Sequence, residues 1–480
     1  MTALVRTRGH RETTHANRMA SRASSVCVVI VPSMGRKRAD VLRRMMRRVA
    51  VASHRTVSHH TVSLRLVGWS VLVGVLGGAV VSAFRWLLAR GLETVQWWYW
   101  GLPNHLWQIV PAIAGCLVVS AVIAGLIASQ PLIKGSGIPD VERRLRGPSA
   151  LSFPWWDVLW KKFIGGILAI GPGAFAGREG PSIQLGACVG MGLSDRTATT
   201  RRFRRELVAA GAAAGLAAAF NAPVAAVLFV AEEVYGRFSL QIGMSSFAAA
   251  LASDAVAQQV FGLAPVFRFP TLAAPGLGEY GALAVLAVAL GLGAWAYAWT
   301  VLRSDRWYVR CHIPVWLRAA VPLLLTMPVG LWHPVLLGGG NALINALGGS
   351  GYALPIVAGF LAVRFVVSQI TYGSGSPGGI FLPILTLGAL VGAVCGGVLG
   401  DLGWAGRPSI VPILIVAGMS GLFGAVSKAP LTAVVLVAEM TSFGVLMPLA
   451  FVTFIAYIIY DVLGGRPIYE ALGGPAPIRP

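Results

Sequence analysis

The sequence predicts an all-α polytopic membrane protein whose two halves are related to each other. Of the 480 residues, 56% are hydrophobic and only 12% are charged, whereas soluble domains usually carry about 25% charged residues. Long apolar windows recur through the chain, and two sequence patterns of the first half return in the second. Helices that satisfy their own backbone hydrogen bonds in lipid explain the composition and the windows together.

The apolar windows differ in length and continuity. Several fall short of the ~20 residues that a simple span requires, and clusters drawn from the 59 glycines and 28 prolines break others. We therefore expect interrupted helices, and we interpret the basic runs 143–146 and 201–205 as short connections. The approximate windows are 66–89, 108–130, 163–177, 206–231, 243–261, 280–303, 316–338, 352–370, 383–400, 409–438 and 445–463.

The segment ahead of the first window is strongly basic. Residues 1–66 contain 14 Lys or Arg residues and two acidic residues, a net charge of +12. Such a run can bind nucleic acid, but before a long membrane domain it is typical of a cytoplasmic tail that contacts anionic lipid, so we expect no nucleic-acid partner. The predicted organisation is a disordered cytoplasmic extension at 1–65, a transmembrane domain at 66–472 with halves near 66–260 and 280–472, and a short tail at 473–480.

An internal repeat relates the halves. NAPVAAVLFVAEE at 221–233 matches KAPLTAVVLVAEM at 428–440 with an offset of 207, and PSIQLGACVG at 181–190 matches PILTLGALVG at 383–392 with an offset of 202. Chance similarity between apolar segments does not supply the shared Pro, Gly and Glu positions. Related halves with broken apolar segments in matching places are typical of transporters, whose substrate lies at the interface of the repeats.

Three glycine-rich motifs interrupt the apolar pattern: GSGIP at 135–139, GREGP at 177–181 and GGIFLP at 378–383. Proline suits the first helical turn, and glycine lets the preceding backbone turn tightly. A helix N-terminus carries about half a positive charge and unpaired N–H donors. Several that converge would hold a dehydrated anion without a lysine, which could bind it too tightly for release. Ser136 adds a hydroxyl donor.

Other chemistry is weakly represented. The five cysteines are scattered without a CxxC pair, so we expect no metal site, no cofactor and no disulfide framework. Residues 348–351 read GGSG, which matches the GxSG of intramembrane serine proteases and leaves that class as a remote alternative. Those enzymes need a histidine base on a later helix, whereas the last histidine, His333, precedes Ser350. We therefore expect no catalytic residue.

The three motifs, in this order and spacing, resemble the signature motifs of the CLC chloride channel and transporter family. The resemblance runs from about Val67 to Leu472 and includes GAAAGLAAAFNAP at 211–223, KAPLT at 428–432 and GGRPIY at 464–469. It implies a homodimer with a separate ion pathway in each subunit and two inverted halves of tilted and partial helices. It also implies a bacterial inner-membrane protein, with a cytoplasmic N-terminus, that exchanges chloride for protons.

Matching the motifs position by position implies roles for individual residues. Ser136 and Tyr469 would give side-chain hydroxyls to a central chloride, and Ile380 and Phe381 would donate backbone N–H groups. Glu179 would be the gating glutamate, whose carboxylate competes with chloride for the outer site. Supporting roles are expected for the remaining motif residues and two nearby charged groups: Gly135, Gly137, Pro139, Lys162, Gly177, Arg178, Gly180, Pro181, Glu232 and Gly379.

Glu179 is also expected to carry protons. An ionised carboxylate mimics the anion beside helix N-termini, and a protonated one loses that attraction and can swing away. One group can thereby link proton uptake to opening of the anion path. The alternative is a structural ion pair with Arg178 or Lys162.

Glu233 would be the internal proton-transfer residue of an exchanger. The alternatives are a solvent-exposed acid at a helix end, or transfer of the role to Glu232. In the second half Glu439 repeats Glu232, but Met440 stands at the position of Glu233, which favours a specific function for Glu233. Its presence also favours an exchanger over a passive gated chloride channel.

Overall fold

The computed structural model describes residues 64–101, 106–147, 154–197, 200–236, 239–269, 272, 275–349, 351–403 and 410–473. Within these residues the chain is helical, and the only β-type pairing is an isolated bridge between Gly177 and Gly379. The all-α prediction is therefore confirmed for the described chain. Nearly all of the predicted extension and tail lies outside it, as does Ser350 of the protease-like GGSG.

The first half contains eight α-helices in its described residues, and a π-helical turn, Val230–Val234, follows the seventh. These helices are α1 (Leu64–Gly101), α2 (Ile109–Ser129), α3 (Ile138–Arg146), α4 (Trp155–Ile170), α5 (Glu179–Thr197), α6 (Arg201–Phe220), α7 (Pro223–Phe229) and α8 (Leu240–Phe261).

The second half contains ten α-helices in its described residues, several of them too short to span a bilayer. These are α9 (Tyr280–Val301), α10 (Ser304–Arg310), α11 (Ala320–Trp332), α12 (Asn341–Gly349), α13 (Leu354–Gly373), α14 (Phe381–Asp401), α15 (Ile410–Ser427), α16 (Pro430–Met440), α17 (Leu446–Val462) and α18 (Ile468–Leu472).

Nine helical segments of the described chain are long and apolar enough to cross a membrane, which agrees with a polytopic membrane protein. They differ in burial. Only 17% of the apolar window of α2 is buried, against 89% for α15, and Val110 and Val118 on α2 are 72% and 63% exposed. Exposed valines of this kind are stable in contact with lipid. We therefore place α2 on the lipid-facing side of the protein and α15 at its centre.

Two of the apolar windows are divided at equivalent positions. The window 206–231 breaks at Asn221 and the window 409–438 breaks at Lys428, where φ is 53° and 57°. Each of these left-handed residues is followed by Ala-Pro, and the proline begins the next helix. The repeat thus produces the same interruption in both halves, as the sequence predicts.

The central helix pairs of the two halves also cross in the same way. A Cβ atom on Gly186 would lie 2.1 Å from the Gly211 oxygen, and one on Gly388 would lie 2.2 Å from the Gly418 oxygen. Only glycine lets backbones approach this closely. The first members of the two pairs are 202 positions apart and the second members 207, so the structure repeats the crossing of α5 with α6 in that of α14 with α15.

The basic runs that we expected to be connections are helical. Residues 143–146 end α3, and residues 201–205 begin α6. The arginines of α3 lie at its C-terminus, where positive charge complements the helix dipole. The N-terminus of α6 is capped by the Thr200 side chain, which accepts the N–H of Phe203 at 3.2 Å. These local stabilising contacts explain why the prediction was wrong.

Candidate functional site

Two glycine-rich motifs meet at the interface between the halves. Gly177 and Gly379 form a reciprocal antiparallel bridge, in which each N–H donates to the other carbonyl oxygen at 2.7 Å. The two glycines are 202 positions apart, so the bridge joins equivalent positions of an inverted repeat. It brings the start of α5, at Glu179, next to the start of α14, at Phe381.

Glu179 is fully buried beside this bridge. Neither carboxylate oxygen makes a hydrogen bond of good geometry among the described residues, and its weak polar contacts are with the backbone N–H groups of Glu179 itself and Leu382. Arg178 Nε lies 3.9 Å from Oε1, a loose contact, and Lys162 bonds elsewhere. The Arg178 contact is long for an ion pair, so the geometry gives the structural ion-pair alternative little support.

Lys162 holds the GSGIP loop in place. Its buried Nζ donates to the carbonyl oxygens of Ile133 at 2.9 Å and Gly135 at 2.6 Å. The same loop requires glycine at Gly137, where φ is 81° and a Cβ would lie 2.2 Å from the Gln184 side-chain oxygen. Lys162 therefore positions the loop backbone, a role that the sequence did not reveal.

Ser136 lies where the three motifs come together. It is 1% exposed, and its hydroxyl accepts the N–H of Ile138 at 3.3 Å. A Cβ on Gly180 would lie 2.7 Å from the Ser136 Cβ, so GREGP packs directly on this serine. The N–H of Gly378 donates to the Gly135 oxygen at 3.0 Å, which attaches GGIFLP to the same loop.

A helix begins within each of the three motifs. Pro139, Pro181 and Pro383 each lie in the first turn of α3, α5 and α14, as the sequence predicts. The first N–H groups of a helix have no acceptor within it. This leaves the N–H groups of Ile380 and Phe381, at the start of α14, free of intrahelical bonds.

Tyr469 reaches the same region from α18. Its side chain is fully buried, and its hydroxyl has no hydrogen-bond partner among the described residues. Its ring contacts Phe229 at a centroid distance of 6.2 Å, and Phe229 contacts Phe381 at 5.9 Å. Tyr469 also interacts electrostatically with Glu179 and Glu233, so this tyrosine is near both predicted proton carriers.

Glu233 lies in the π-helical turn after α7, where the N–H of Tyr235 donates to the Val230 oxygen at 2.7 Å. Such turns are rare and are frequently found at functional sites. Glu233 is 3% exposed, and its Oε1 has no hydrogen-bond partner in the described chain. The alternative of a solvent-exposed helix end is therefore wrong.

Glu232 faces a different way and caps a helix of the other half. Its carboxylate accepts the N–H of Thr432 at 2.9 Å and the hydroxyl of the same residue at 2.7 Å. Its repeat equivalent, Glu439, accepts the N–H groups of Val224 at 3.1 Å and Ala225 at 2.8 Å. The two caps are reciprocal. This role of Glu439 was not predicted from the sequence, although its recurrence at an offset of 207 was a signal for one.

A cleft of about 340 Å³ leads to Ser136. Lys134 and Arg143 line it, together with Asp140, which pairs with Arg143 at 3.3 Å. Asp305 lines the cleft as well, so two cations and two anions face this opening and their formal charges balance.

Comparisons with known proteins define the class. The family profile described as "Voltage gated chloride channel" matches residues 116–461. The H(+)/Cl(-) exchange transporter ClcA of Vibrio cholerae serotype O1 is 34% identical over 420 residues, which cover 84% of this chain and 88% of that protein. The protein of the same name from Salmonella paratyphi A is 30% identical over 454 residues, which cover 91% of this chain and 91% of that protein.

Solved structures agree. The crystal structure of a slow cyanobacterial Cl⁻/H⁺ antiporter superposes with a TM-score of 0.78 at 28% identity, covering 86% of this chain and 98% of that one. The fold and the site define a polytopic ion-transport protein built on an inverted repeat of tilted and partial helices. The chain belongs to the voltage-gated chloride channel family, the CLC family.

Proposed function

We propose that the protein is a secondary transporter, and not an enzyme, that exchanges chloride for protons across the membrane. The observation that carries this proposal is the fully buried carboxylate of Glu179 at the junction of α5 and α14, which makes no hydrogen bond of good geometry among the described residues. The relatives named H⁺/Cl⁻ exchange transporters and the antiporter of similar structure support the same activity.

Chloride would bind between the hydroxyls of Ser136 and Tyr469 and the N–H groups of Ile380 and Phe381. Both side chains are buried, and the Tyr469 hydroxyl lacks a partner among the described residues. Helix N-termini attract anions through partial charges. Such a site holds an ion firmly enough to select it and weakly enough to release it.

Glu179 would alternate between two positions. When ionised, its carboxylate occupies an anion position at the starts of α5 and α14. When protonated, it loses its attraction to those N–H groups and vacates the position for chloride. Proton uptake and chloride entry are then linked through one side chain, which is the minimum that exchange requires.

Glu233 would deliver protons from the cytoplasmic side. Its burial and bare Oε1 support this role, and its electrostatic interaction with Tyr469 indicates how near it lies to the chloride site. Protons and chloride would then share the outer part of the path at Glu179 and separate on the inner side.

The setting that we propose is the bacterial inner membrane, with the N-terminus in the cytoplasm, the apolar helices in contact with lipid, and two subunits that each contain a pathway. The basic segment before α1 supports this orientation through the positive-inside rule. Crosslinking in native membranes tests the dimer, since a monomer alone after crosslinking would contradict it.

Reconstitution into liposomes tests the exchange itself. Chloride that moves down an imposed gradient should drive protons across the vesicle membrane in the direction opposite to chloride. The internal pH should therefore change without any initial pH gradient. Chloride flux without proton movement would refute exchange and identify a passive gated chloride channel. Vesicles without protein give the background for both ions.

A further inference from the structure

Ionisable groups from α3 and α18 lie around Glu233, in addition to the groups of its own turn. Those that interact with it electrostatically are Glu142, Arg146, Glu232, Glu470 and Tyr469. Glu232 is held by its cap on α16, and Tyr469 belongs to the proposed chloride site. Three groups of this neighbourhood, on α3 and α18, therefore have no role in the mechanism described so far.

Arg146 connects the members of this cluster. Its Nη1 lies 2.8 Å from Glu142 Oε1 and 3.9 Å from Glu470 Oε2. Its Nη2 donates to the Glu233 carbonyl oxygen, and its Nε donates to the Val234 carbonyl oxygen at 3.3 Å. One guanidinium thus contacts a carboxylate of its own helix α3, a carboxylate of α18 and the turn that carries Glu233.

Glu142 is only partly satisfied by this contact. Its side chain is 6% exposed, and although Oε1 pairs with Arg146, Oε2 is buried without a hydrogen-bond partner among the described residues. Glu233 Oε1 is bare in the same way. Burying two carboxylates, each with one oxygen that lacks a hydrogen-bond partner, costs free energy of folding. A purely structural ion pair would not require these two unsatisfied oxygens. A bare carboxylate oxygen is able to accept a proton.

Exposure decreases through the three carboxylates. The Glu470 side chain is 64% exposed, that of Glu142 is 6% exposed, and Glu233 is 3% exposed as a residue. The cluster therefore places carboxyl groups of decreasing exposure around one cation, beside the turn that carries Glu233.

We propose that Glu142 is a second internal proton carrier, which receives protons from solvent by way of Glu470 and passes them to Glu233. In the transfer, the O–H bond of the protonated Glu142 breaks and one forms on Glu233, so Glu142 returns to a carboxylate as Glu233 becomes neutral. Arg146 stabilises the carboxylate of Glu142 that each transfer regenerates. This inference rests on the proposed exchange, because it extends the internal proton path of that mechanism.

The test uses Glu142→Gln in the full-length protein reconstituted into liposomes, with proton flux and chloride flux measured on the same vesicles. The amide fills the same space and accepts from Arg146 but cannot carry a proton. Chloride flux should continue, while chloride-driven proton flux should fall about 100-fold or more, the usual range for loss of a proton-transfer group. Glu142→Asp keeps a titratable carboxyl and should restore part of the proton flux.

Glu206→Gln is the matched control. Glu206 is 7% exposed and pairs with Arg202 at 3.0 Å across one helical turn, the same arrangement as Glu142 with Arg146, but it is not among the groups that interact with Glu233. Both fluxes of this variant should equal those of the unmodified protein.

The outcomes separate the two proposals. If the unmodified protein moves no protons, exchange is wrong and the relay fails with it. If the unmodified protein exchanges, an unchanged proton-to-chloride ratio in Glu142→Gln, or an equal loss of both fluxes, overturns the relay alone. Should Glu142→Gln not fold, Glu470→Gln at the exposed end replaces it: a lowered ratio supports the relay, and an unchanged ratio overturns it.

Discussion

In the first half of the molecule α5 begins at Glu179, and at the equivalent position of the second half α14 begins at Phe381. The two residues are 202 positions apart, and each is the second residue after a glycine of the reciprocal bridge. The same backbone geometry thus presents a carboxylate from one half and an aromatic side chain from the other.

Three structural features are shared by the two halves. The glycine crossings and the left-handed residues before Ala-Pro occur in both, and so do the reciprocal caps from Glu232 and Glu439. Next to these caps they differ again, because Glu233 has Met440 as its equivalent. The residues shared by the halves build the frame, whereas the carboxylates to which we assign proton transfer each occur in one half only.

The largest expected effect is that of Glu179→Gln, which imitates the protonated side chain at every pH. Chloride flux into liposomes should continue but lose its increase at low pH, and chloride-driven proton flux should fall to the background. A structure of the variant with bound anions should show one more anion at the start of α5. Retained proton coupling would mean that the gate lies elsewhere.

Glu233→Gln should also stop proton flux, since an amide relays no protons, while chloride flux continues. The equivalent position in the other half supplies the control: Met440→Leu conserves volume and should leave both fluxes unchanged. Flux assays on the two variants side by side compare the halves directly. If Glu233→Gln still exchanges, the distinction between shared and unshared residues loses its main support.

Each half is expected to contribute one hydroxyl to the chloride. Ser136→Ala combined with Tyr469→Phe removes both and keeps the ring contact with Phe229. Hydrogen bonds to charged groups contribute about 1.5–3 kcal/mol each, so chloride affinity measured by calorimetry should fall at least about tenfold. An unchanged affinity would remove these hydroxyls from the site.

The frame should respond alike in both halves. Gly186→Ala and Gly388→Ala would each place a Cβ within 2.2 Å of a facing carbonyl oxygen, and overpacking of this kind costs about 1–3 kcal/mol. Thermal unfolding of the purified protein should show similar losses. Gly115→Ala is the control, because a Cβ there would meet no atom within 4 Å outside the backbone of its own helix. This variant should show no loss of thermal stability. A loss in one half alone would contradict the equivalence.

The smallest effect is expected for the caps. Glu232→Ala and Glu439→Ala should each lower stability by about 0.5–2 kcal/mol, the usual range for a lost helix cap. The proton-to-chloride ratio should stay the same in both variants. A changed ratio in Glu232→Ala alone would assign proton transfer to Glu232 as well.

Much of the frame was predictable because its signals are local. Glycines followed within a few residues by proline and an apolar stretch favour a helix start, so the starts of α3, α5 and α14 followed from their motifs. The repeat of 13 residues around Glu232 and Glu439 predicted matching helix breaks. The three motifs were also expected to converge, and they do.

The partners of charged groups were not predictable from local patterns. Glu232 meets Thr432 across 200 positions, and Lys162 bonds backbone carbonyls, which have no sequence signature. Arg146 was interpreted as part of a connection because a basic run suggests solvent. Its function as a centre for Glu142 and Glu470 depends on α18 packing beside α3, more than 300 residues later in the chain.

The reciprocal caps have a consequence for how such a chain is organised. In a twofold-symmetric dimer, residue i of one subunit contacts residue j of the other, and j contacts i in return. Glu232 with Thr432 and Glu439 with Ala225 obey this relation, since both members differ by 207 positions. The contact between the halves is therefore an isologous interface contained in one polypeptide. Because both copies belong to one chain, equivalent positions can carry different residues, and Glu179 and Glu233 have Phe381 and Met440 as their equivalents.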